Sequence, residues 1–457
     1  MHLDKLTAIW ERVRDSLWFL PGVFTLVAAG LAIVTVQLDM NGILAIPAPE
    51  DPANGAPRAV RIVFSGTADG ARGVLSAIAA GLITVTGVVF SVTIVAIQLA
   101  STQFTPRILR NFTADRGNQL VLGVFIGTFT YALLIQRVVR GSNEEVPAFV
   151  PNLSVTVALA LALVSIGFLI FFIDHAARSV QAAVIIDRVA RDALRTNQRT
   201  LPDSVGGAMD DDPASVLPDG PGKSVTSRTS GYVQGIEVKT LMRLLRQEGR
   251  TIRLEPHLGD FIMTGAPLAT LWPADSDPDD SVAATVREAF ILGYERTPRL
   301  DPELGVVELV DIAVKALSPG INDPTTAAIC LDRLSEIVVD FGRRDPPRRV
   351  HRYPRTGSVL ILPRPEFEHL VETALDQIRH FAAGNPHFVG TILRRLAEIG
   401  RLLPAHRHPP LLAQAEAALR EALAQEPDLT DARRLQQAAR EALDALGGED
   451  AGRSDGS

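Results

Sequence analysis

The chain has 457 residues, of which only 21% are charged, and its net charge is −7 with a mean hydropathy of +0.17. A soluble protein of this length usually carries more charge, the acidic balance provides no global basic field for nucleic acid, and 5% aromatic residues argue against a base-stacking surface. The single cysteine, Cys330, excludes an internal disulfide framework and suits a reducing compartment.

Four uncharged apolar segments dominate the N-terminal part of the chain, at 17–38, 74–106, 117–136 and 146–173. A helix needs about 20 such residues to cross the hydrocarbon core, and a spanning segment must be helical because its backbone finds no water there. No convincing small-residue cleavage site follows the first segment, so we interpret it as a retained anchor. The sequence predicts a four-helix transmembrane domain over 1–175.

Loop basicity predicts how this domain is oriented. Basic residues flank the first segment on its N-terminal side, follow the second segment and follow the fourth, whereas the arginines of the other side are interleaved with acidic residues. The positive-inside rule then places both termini in the cytoplasm.

The chain becomes polar after Asp174. Helical periodicity over 176–203 predicts a cytoplasmic extension of the fourth helix, and the acidic, Pro/Gly/Ser-rich stretch 204–229 predicts a flexible linker. Residues 230–275 predict a small mixed α/β segment, with strands in "GYVQGIEV", "TIRLE" and "GDFIMTGAPLATLWP" and a helix at 239–248.

The remainder predicts a helical cytoplasmic domain over 276–446 and a disordered tail over 447–457. Helices are expected near 281–294, 302–317, 324–341, 364–382, 388–403, 410–424 and 431–446. The predicted fold class is therefore an α-helical membrane protein with four transmembrane helices, followed by a cytoplasmic α+β and then mainly helical domain.

The most distinctive segment is 293–334, "GYERTPRLDPELGVVELVDIAVKALSPGINDPTTAAICLDRL". Ser318, Pro319 and Gly320 are expected to break a helix, with Gly320 supplying the permissive backbone, and Asp323 is an N-cap candidate for the next one. The simpler interpretation is a buried interhelical turn. The alternative is a functional loop that uses Asn322, Asp323 and backbone N–H groups, with contributions from nearby Glu295, Arg296 and Asp301.

The segment "ALSPGINDPTTA" at 316–327 resembles the corresponding motif of a bacterial family of predicted membrane proteins classed as domain of unknown function 2254. The resemblance covers nearly the whole chain and includes the four-span half, "SGYVQ" at 230–234, "ERT" at 295–297 and "QIR" at 377–379. It implies a bacterial inner-membrane location and this architecture, and it carries no agreed activity.

Searches for catalytic and metal motifs lead us to expect no enzyme, no cofactor and no metal site. "GPGKS" at 220–224 lacks the earlier glycine of a phosphate-binding loop, and no G-x-S-x-G elbow is present. The closest histidine pair, His406 and His408, lies in a polar turn that we expect to be solvated. Asp174 and His175 end the fourth span, where they mark the interface or, alternatively, respond to protons or ions.

The long second segment carries a row of small and polar residues, which we call the seam. Positions seven apart share a helix face, so two adjacent rows form one strip: Thr84, Gly87, Ser91, Ile94, Gln98, Ser101 and Thr105. One interpretation is helix packing, since small residues permit close approach and polar ones bond across helices. The other is a water-lined path made by several copies, with Ile94 as an apolar gate.

The sequence thus predicts a homo-oligomeric channel or transport-type protein that passes an ion or small solute and carries a cytoplasmic regulatory or assembly domain. Its expected partners are the lipid bilayer and further copies of itself, and not nucleic acid. The alternative is a membrane-anchored sensor or scaffold without conduction.

Overall fold

The computed structural model describes residues 16–41, 64–103, 115–141, 148–179, 181–201, 213–246, 250–273, 280–297 and 300–447. The seam position Thr105 and residues 448–457 of the predicted tail lie outside these ranges. The chain divides into two compact units, Met1–Gln181 and Ala182–Ser457.

Within the described residues, four helices are long and apolar enough to cross a membrane, as predicted. They are α1 (Phe19–Met40), α2 (Ala68–Gln103), α3 (Arg116–Val138) and α4 (Asn152–Ser179). Helix α3 is the central one, because 67% of its apolar window is buried, compared with 22%, 22% and 17% for α1, α2 and α4. All three outer helices pack against it.

Small residues bring α1 close to α3. A Cβ atom on Gly123 would lie 2.9 Å from Phe24 Cδ2, and one on Gly127 would lie 3.2 Å from the Phe24 carbonyl oxygen. Both glycines of α3 therefore accommodate Phe24 of α1, as small residues do where membrane helices pack closely.

Side-chain carboxylates join α4 to α1 at one end of this unit and to α3 at the other. Asp39 at the end of α1 accepts from the backbone N–H groups of Leu153 (3.0 Å) and Ser154 (2.9 Å), the first residues of α4. Asp115 caps α3 by accepting from Gly117 N at 2.8 Å, and its Oδ1 lies 3.0 Å from His175 Nε2 of α4. Because helix starts leave N–H groups without intrahelical partners, these carboxylates both satisfy the ends and fix the helix pairs.

The predicted continuous extension of α4 over 176–203 is wrong. Helix α4 ends at Ser179 and a new helix, α5 (Ala182–Thr200), begins the second unit. Gln181 N donates to the Arg178 carbonyl at 3.1 Å, a three-residue closure that ends the regular ladder.

The described part of the second unit holds two sheets. The five-stranded sheet has the order β1-β5-β3-β8-β7 and is antiparallel except where β3 and β8 pair parallel. The three-stranded sheet has the order β4-β2-β6. The strands are β1 (Lys223–Thr226), β2 (Gly231–Ile236), β3 (Thr251–Leu254), β4 (Phe261–Ile262), β5 (Pro267–Trp272), β6 (Phe290–Gly293), β7 (Val350–Arg352) and β8 (Val359–Ile361).

Three predicted boundaries in this region are wrong. The stretch 204–229, predicted as a flexible linker, contains β1 and a short helix, α6 (Pro213–Val216). The predicted helix 281–294 ends early, since α8 (Asp280–Ala289) is followed by β6, which pairs with β2. Strands β7 and β8 lie within the predicted helical domain, and with three residues each they are too short to leave a periodic signal.

The remaining helices follow the predicted positions within a few residues. They are α7 (Val238–Leu244), α9 (Leu304–Leu317), α10 (Pro324–Gly342), α11 (Phe367–Ala382), α12 (Pro386–Leu402), α13 (His408–Leu423) and α14 (Leu429–Leu446). Helix α9 packs against α5, α10 and α11, with Leu309 and Ile312 fully buried. Burying each such side chain contributes about 1.5–3 kcal/mol.

Candidate functional site

The seam lies on the face of α2 that points away from the rest of the first unit. Helix α2 packs on α3 through a buried row that includes Leu75, Ala79, Leu82 and Val89. At about 100° per residue, the seam falls on the roughly opposite face. Its side chains at 84, 87, 91, 94 and 98 are all exposed, and Ser101 belongs to the same helix.

The glycines of this face are not used for packing within one chain. A Cβ atom placed on Gly73, Gly81 or Gly87 would meet no atom within 4 Å, in contrast to Gly123 and Gly127 of α3. The Thr84 hydroxyl donates to the Ala80 carbonyl of its own helix at 2.8 Å. The small residues therefore leave an open groove along α2.

The other outward faces of the unit are different in chemistry. Helix α1 exposes Leu26 and Ile33, and α4 exposes Leu163, Ile166 and Ile170, all large and apolar as lipid contact requires. On α2, Thr84, Gly87 and Ser91 are small or polar over two turns of helix, while Val88 and Val95 of the same helix are exposed beside them.

Hydrogen bonds between α2 and α3 give the depth of the seam. Arg72 Nη2 donates to the Val139 carbonyl at 3.0 Å, and Gln136 Nε2 donates to Ser76 Oγ at 2.8 Å, so the two helices run antiparallel. Counting about 1.5 Å per residue from these bonds places Gln98 level with Asp115, where α3 starts. Along the helix axis, the seam positions 84, 87, 91 and 94 are therefore level with the middle and first turns of α3, and Gln98 is level with its N-terminal end.

The Ser318–Asp323 loop is an exposed turn between α9 and α10, not a buried one. Asp323 caps α10 by accepting from Thr326 N at 3.0 Å, as predicted. Asn322 has a φ of 49°, whereas Gly320 is not in the left-handed region. The permissive position is therefore Asn322, because asparagine tolerates this conformation better than other side chains, and the assignment of that role to Gly320 is wrong.

The residues expected to join this loop lie elsewhere. Arg296 and Asp301 precede α9, while the loop follows it, so the 14 residues of α9 separate them by about 21 Å. Gln234 Nε2 instead donates to the Glu295 carbonyl at 2.8 Å, which brings the "SGYVQ" and "ERT" segments together. Arg379 of "QIR" bonds Gln414 and Glu421 and so joins α11 to α13.

A cavity of about 260 Å³ lies beside these two motif segments. Its wall comes from the end of α5, the β2–α7 junction, the β3–β4 loop, the segment before α9 and the residues flanking β7 and β8. The lining is mainly aliphatic and proline, with four polar residues: Thr200, His257, Asp301 and Glu303.

The Asp301 carboxylate, at the polar end of the cavity, accepts four hydrogen bonds. Arg296 donates to it through Nε at 2.6 Å and Nη2 at 2.9 Å, and Oδ1 also accepts from the backbone of Glu303 and Leu304. A Cβ atom on Gly259, which has a φ of 88°, would lie 2.5 Å from Asp301 Oδ2. The Arg296–Asp301 ion pair therefore packs between the turn at Gly259 and the start of α9.

Glu303 is held less tightly. Its Oε2 lies 3.7 Å from Arg296 Nη2 and 3.7 Å from His369 Nε2, and within the described residues no hydrogen bond reaches this carboxylate. Burial raises the pKa of Glu303, with the nearby Asp301 charge adding to the shift and His369 opposing it.

On the facing loop, His257 and Asp260 form a second charged pair. The Asp260 carboxylate, 3.7 Å from His257 Nδ1, raises the pKa of the imidazole. Burial alone would raise the pKa of Asp260, but the nearby imidazole of His257 and a 2.7 Å hydrogen bond from the His257 backbone N–H together hold this pKa below its usual value.

In the described ranges, no three His, Cys, Asp or Glu residues lie close enough together to hold a metal ion. His408 is not solvated as expected, because its ring nitrogens lie 2.8 Å from the Leu446 carbonyl and 3.0 Å from that of Gly400. His408 therefore joins α12 to α14.

Comparison with known proteins gives one family and several relatives. The family described as "Predicted membrane protein (DUF2254)" matches residues 14–398. The chain is 32% identical over 406 residues to the uncharacterized proteins Mb1321c of Mycobacterium bovis and Rv1290c of Mycobacterium tuberculosis, which covers 87% of this chain and 74% of each relative. No solved structure matches.

Proposed function

Because this chain belongs to the DUF2254 family of predicted membrane proteins, we propose that it is a homo-oligomeric channel or transport-type protein of the bacterial inner membrane. In this proposal both termini lie in the cytoplasm, and α2 of each copy turns its seam toward a shared water-lined path. The second unit assembles or regulates the complex.

The observation that carries the proposal is the exposure of the seam on the face of α2 opposite its packing face. In lipid, an open row of glycines and hydroxyls forfeits the van der Waals contacts that large apolar side chains make. Gly87, like Gly22 and Gly30 of α1 and Gly167 of α4, meets no described atom within 4 Å, and in the seam this open position lies between Thr84 and Ser91, where a second copy or water would fit.

The seam has the chemistry of a weakly binding path. The Thr84 hydroxyl, whose proton is donated to Ala80, can still accept a hydrogen bond, and the Ser91 hydroxyl adds a second group without a fixed charge. Gly87 leaves width between them, and Ile94 supplies an apolar constriction. Conduction requires sites weak enough to release a solute, and an apolar ring closes such a path by dewetting.

Cross-linking tests whether copies meet at the seam. In a Cys330→Ala background, Ser91→Cys is expected to cross-link between copies in native membranes with a short bismaleimide. Ile166→Cys, on the exposed apolar face of α4, is the matched control and is expected to remain monomeric. Cross-linking at 166 and not at 91 would refute the arrangement.

Measurements of solute flux distinguish a conducting protein from a sensor or scaffold that conducts nothing. In proteoliposomes, potassium, chloride and glycerol fluxes are compared for the wild type, Ser91→Leu and the control Ile166→Leu. At least one flux is expected above that of empty liposomes, and Ser91→Leu is expected to reduce it about tenfold or more because it closes the open groove. Cross-linking at 91 with no flux of any kind would favour the sensor or scaffold instead.

A further inference from the structure

We infer that the cavity of the second unit is a binding site for a small amphipathic ammonium compound, with its alkyl part against the cavity wall and its protonated amine on Glu303. The inference concerns the second unit alone and does not rest on the proposed channel function.

The wall of the cavity is rigid and apolar. Four prolines contribute to it, at 302, 347, 363 and 365, and aliphatic side chains such as Val238 and Leu258 fill the spaces between them. A proline ring has a fixed φ, so the cavity is largely preformed. Its volume of about 260 Å³ is just below the 300–1,000 Å³ of pockets for drug-sized molecules, which suits a compact ligand.

The polar groups of the cavity are chiefly acceptors. Prolines lack an N–H group, and the Thr200 hydroxyl already donates to the Thr196 carbonyl at 2.8 Å. The backbone N–H groups of Glu303 and Leu304, at the start of α9, are taken by Asp301 Oδ1 at 3.1 and 3.2 Å. An anionic ligand would therefore meet carboxylates and few free donors.

Among the described residues that line the cavity, Glu303 has no partner at hydrogen-bond distance for its carboxylate. Its two ion-pair contacts, to Arg296 and His369, are both 3.7 Å long, while Asp301 occupies the close positions on Arg296. Its side chain is 20% exposed and lines the cavity. Glu303 keeps partial access to water, and a positively charged donor placed on it would form a charge-assisted hydrogen bond, which is stronger than one between neutral groups.

The local charge balance favours the same ligand. Among the described residues, Asp260, Asp301 and Glu303 bring three carboxylates to this region, whereas Arg296 is the guanidinium that contacts Asp301 and Glu303. The carboxylates therefore outnumber the guanidinium at the polar end. An ammonium group neutralises part of this negative charge, and an alkyl chain of about six carbons occupies the apolar part.

The test measures the binding of n-hexylammonium to the full-length protein in lipid nanodiscs. The binding is measured by calorimetry at pH 8.5. At this pH the amine keeps its proton, because the ordinary pKa of an alkylammonium such as lysine is about 10.4. Hexylammonium is expected to bind, while hexanoate and hexanol, with the same chain, are expected to bind at least tenfold more weakly.

Two variants locate the site. Glu303→Gln keeps the shape but removes the charge and is expected to weaken hexylammonium binding about tenfold or more. Glu368→Gln, an exposed carboxylate of α11 outside the lining, is the matched control and is expected to bind as the wild type does. With Trp10 and Trp18 replaced by phenylalanine, Trp272 fluorescence reports on β5 and verifies that each variant is folded.

A variant that fills the cavity with a larger side chain provides a second binding measurement. Val238→Phe leaves Glu303 intact but occupies the apolar part, and it is expected to abolish saturable binding. Equal binding of hexanoate and hexylammonium, or binding that survives both Glu303→Gln and Val238→Phe, would overturn the inference and indicate partition into the bilayer.

Discussion

Replacing Gly259 by alanine tests how the polar end of the cavity is held. Gly259 and Gly265 share a φ of 88°, a conformation that costs a non-glycine residue about 1–2 kcal/mol. They differ in what surrounds them. A Cβ atom on Gly259 would lie 2.5 Å from Asp301 Oδ2 and 2.7 Å from Arg296 Nε, whereas one on Gly265 would meet no atom within 4 Å.

The difference between the two variants therefore measures the contact with the Arg296–Asp301 pair. Breaking a buried ion pair costs about 3–5 kcal/mol. Since Arg296 is 24% exposed and the pair is displaced, not removed, we expect about 1–3 kcal/mol beyond the backbone cost. Gly265→Ala should lose about 1–2 kcal/mol and Gly259→Ala about 2–5 kcal/mol.

Urea unfolding followed by Trp272 fluorescence provides the assay. Trp272 is 7% exposed in β5, and the other two tryptophans of the chain, Trp10 and Trp18, are replaced by phenylalanine so that the signal reports on the second unit. With a slope of about 2–3 kcal/mol per molar, each 1 kcal/mol shifts the midpoint by about 0.3–0.5 M.

The midpoint of Gly259→Ala should lie below that of Gly265→Ala. Equal shifts would refute the reasoning, because they would mean that only the shared φ matters and that the ion pair does not press on the turn. A further check is Asp301→Asn together with Gly259→Ala, which should lose less than the sum of the two single losses, since both changes disturb one contact.

Three further predictions follow from single contacts. Burial raises the pKa of Cys330 to about 12, so its thiol should not react with an aromatic disulfide reagent at pH 8 in the native protein, and one thiol per chain should react in denaturant. Because the raised pKa of Glu303 favours its protonated form in the folded protein, the wild type should lose thermal stability relative to Glu303→Gln as the pH rises from 4.5 to 8, whereas Glu368→Gln should show no such trend. Asp39→Ala removes the acceptor for two N–H groups of α4 and should cost about 1–2 kcal/mol in thermal unfolding of the first unit, whereas the 95% exposed Asp69 should tolerate alanine. A reactive native Cys330, a stability difference between the wild type and Glu303→Gln that does not change with pH, or equal effects at 39 and 69 would each contradict the corresponding contact.

The membrane half could be predicted because its signal is long and local. Twenty uncharged apolar residues in a row specify a helix without knowledge of its neighbours, and all four predicted segments are helices. The seven-residue spacing of the seam also follows from the sequence. Which face of α2 packs on α3 does not follow, because Leu82 and Val89 are no more apolar than the exposed Val88 and Val95.

The second unit was harder to predict because its strands are short and pair over long distances. Strand β6 continues a helical pattern and becomes a strand only because β2 pairs with it. Strand β8 joins β3 from more than a hundred residues away, so the sheet cannot be delimited by 230–275. Pairing across the chain overrides local preference in such strands.

The residues of the candidate sites also differ in whether the sequence alone predicts their roles. The Asp323 cap could be predicted from a local pattern, whereas the role of Asn322 required its backbone angle. Glu303 and His257 carry no motif, and the cavity that they line forms only when segments from five parts of the second unit meet. No periodicity or spacing in one sequence indicates such a convergence.

Water accessibility along α2 tests the proposed function most directly. In the Cys330→Ala background, single cysteines at 87 and 91 on the seam and at 166 on α4 are exposed in intact membranes to a membrane-impermeant thiol reagent. The proposal predicts rapid labelling at 87 and 91 and protection at 166, because the seam faces water and the α4 face meets lipid. Protection at 87 and 91 equal to that at 166 would contradict it.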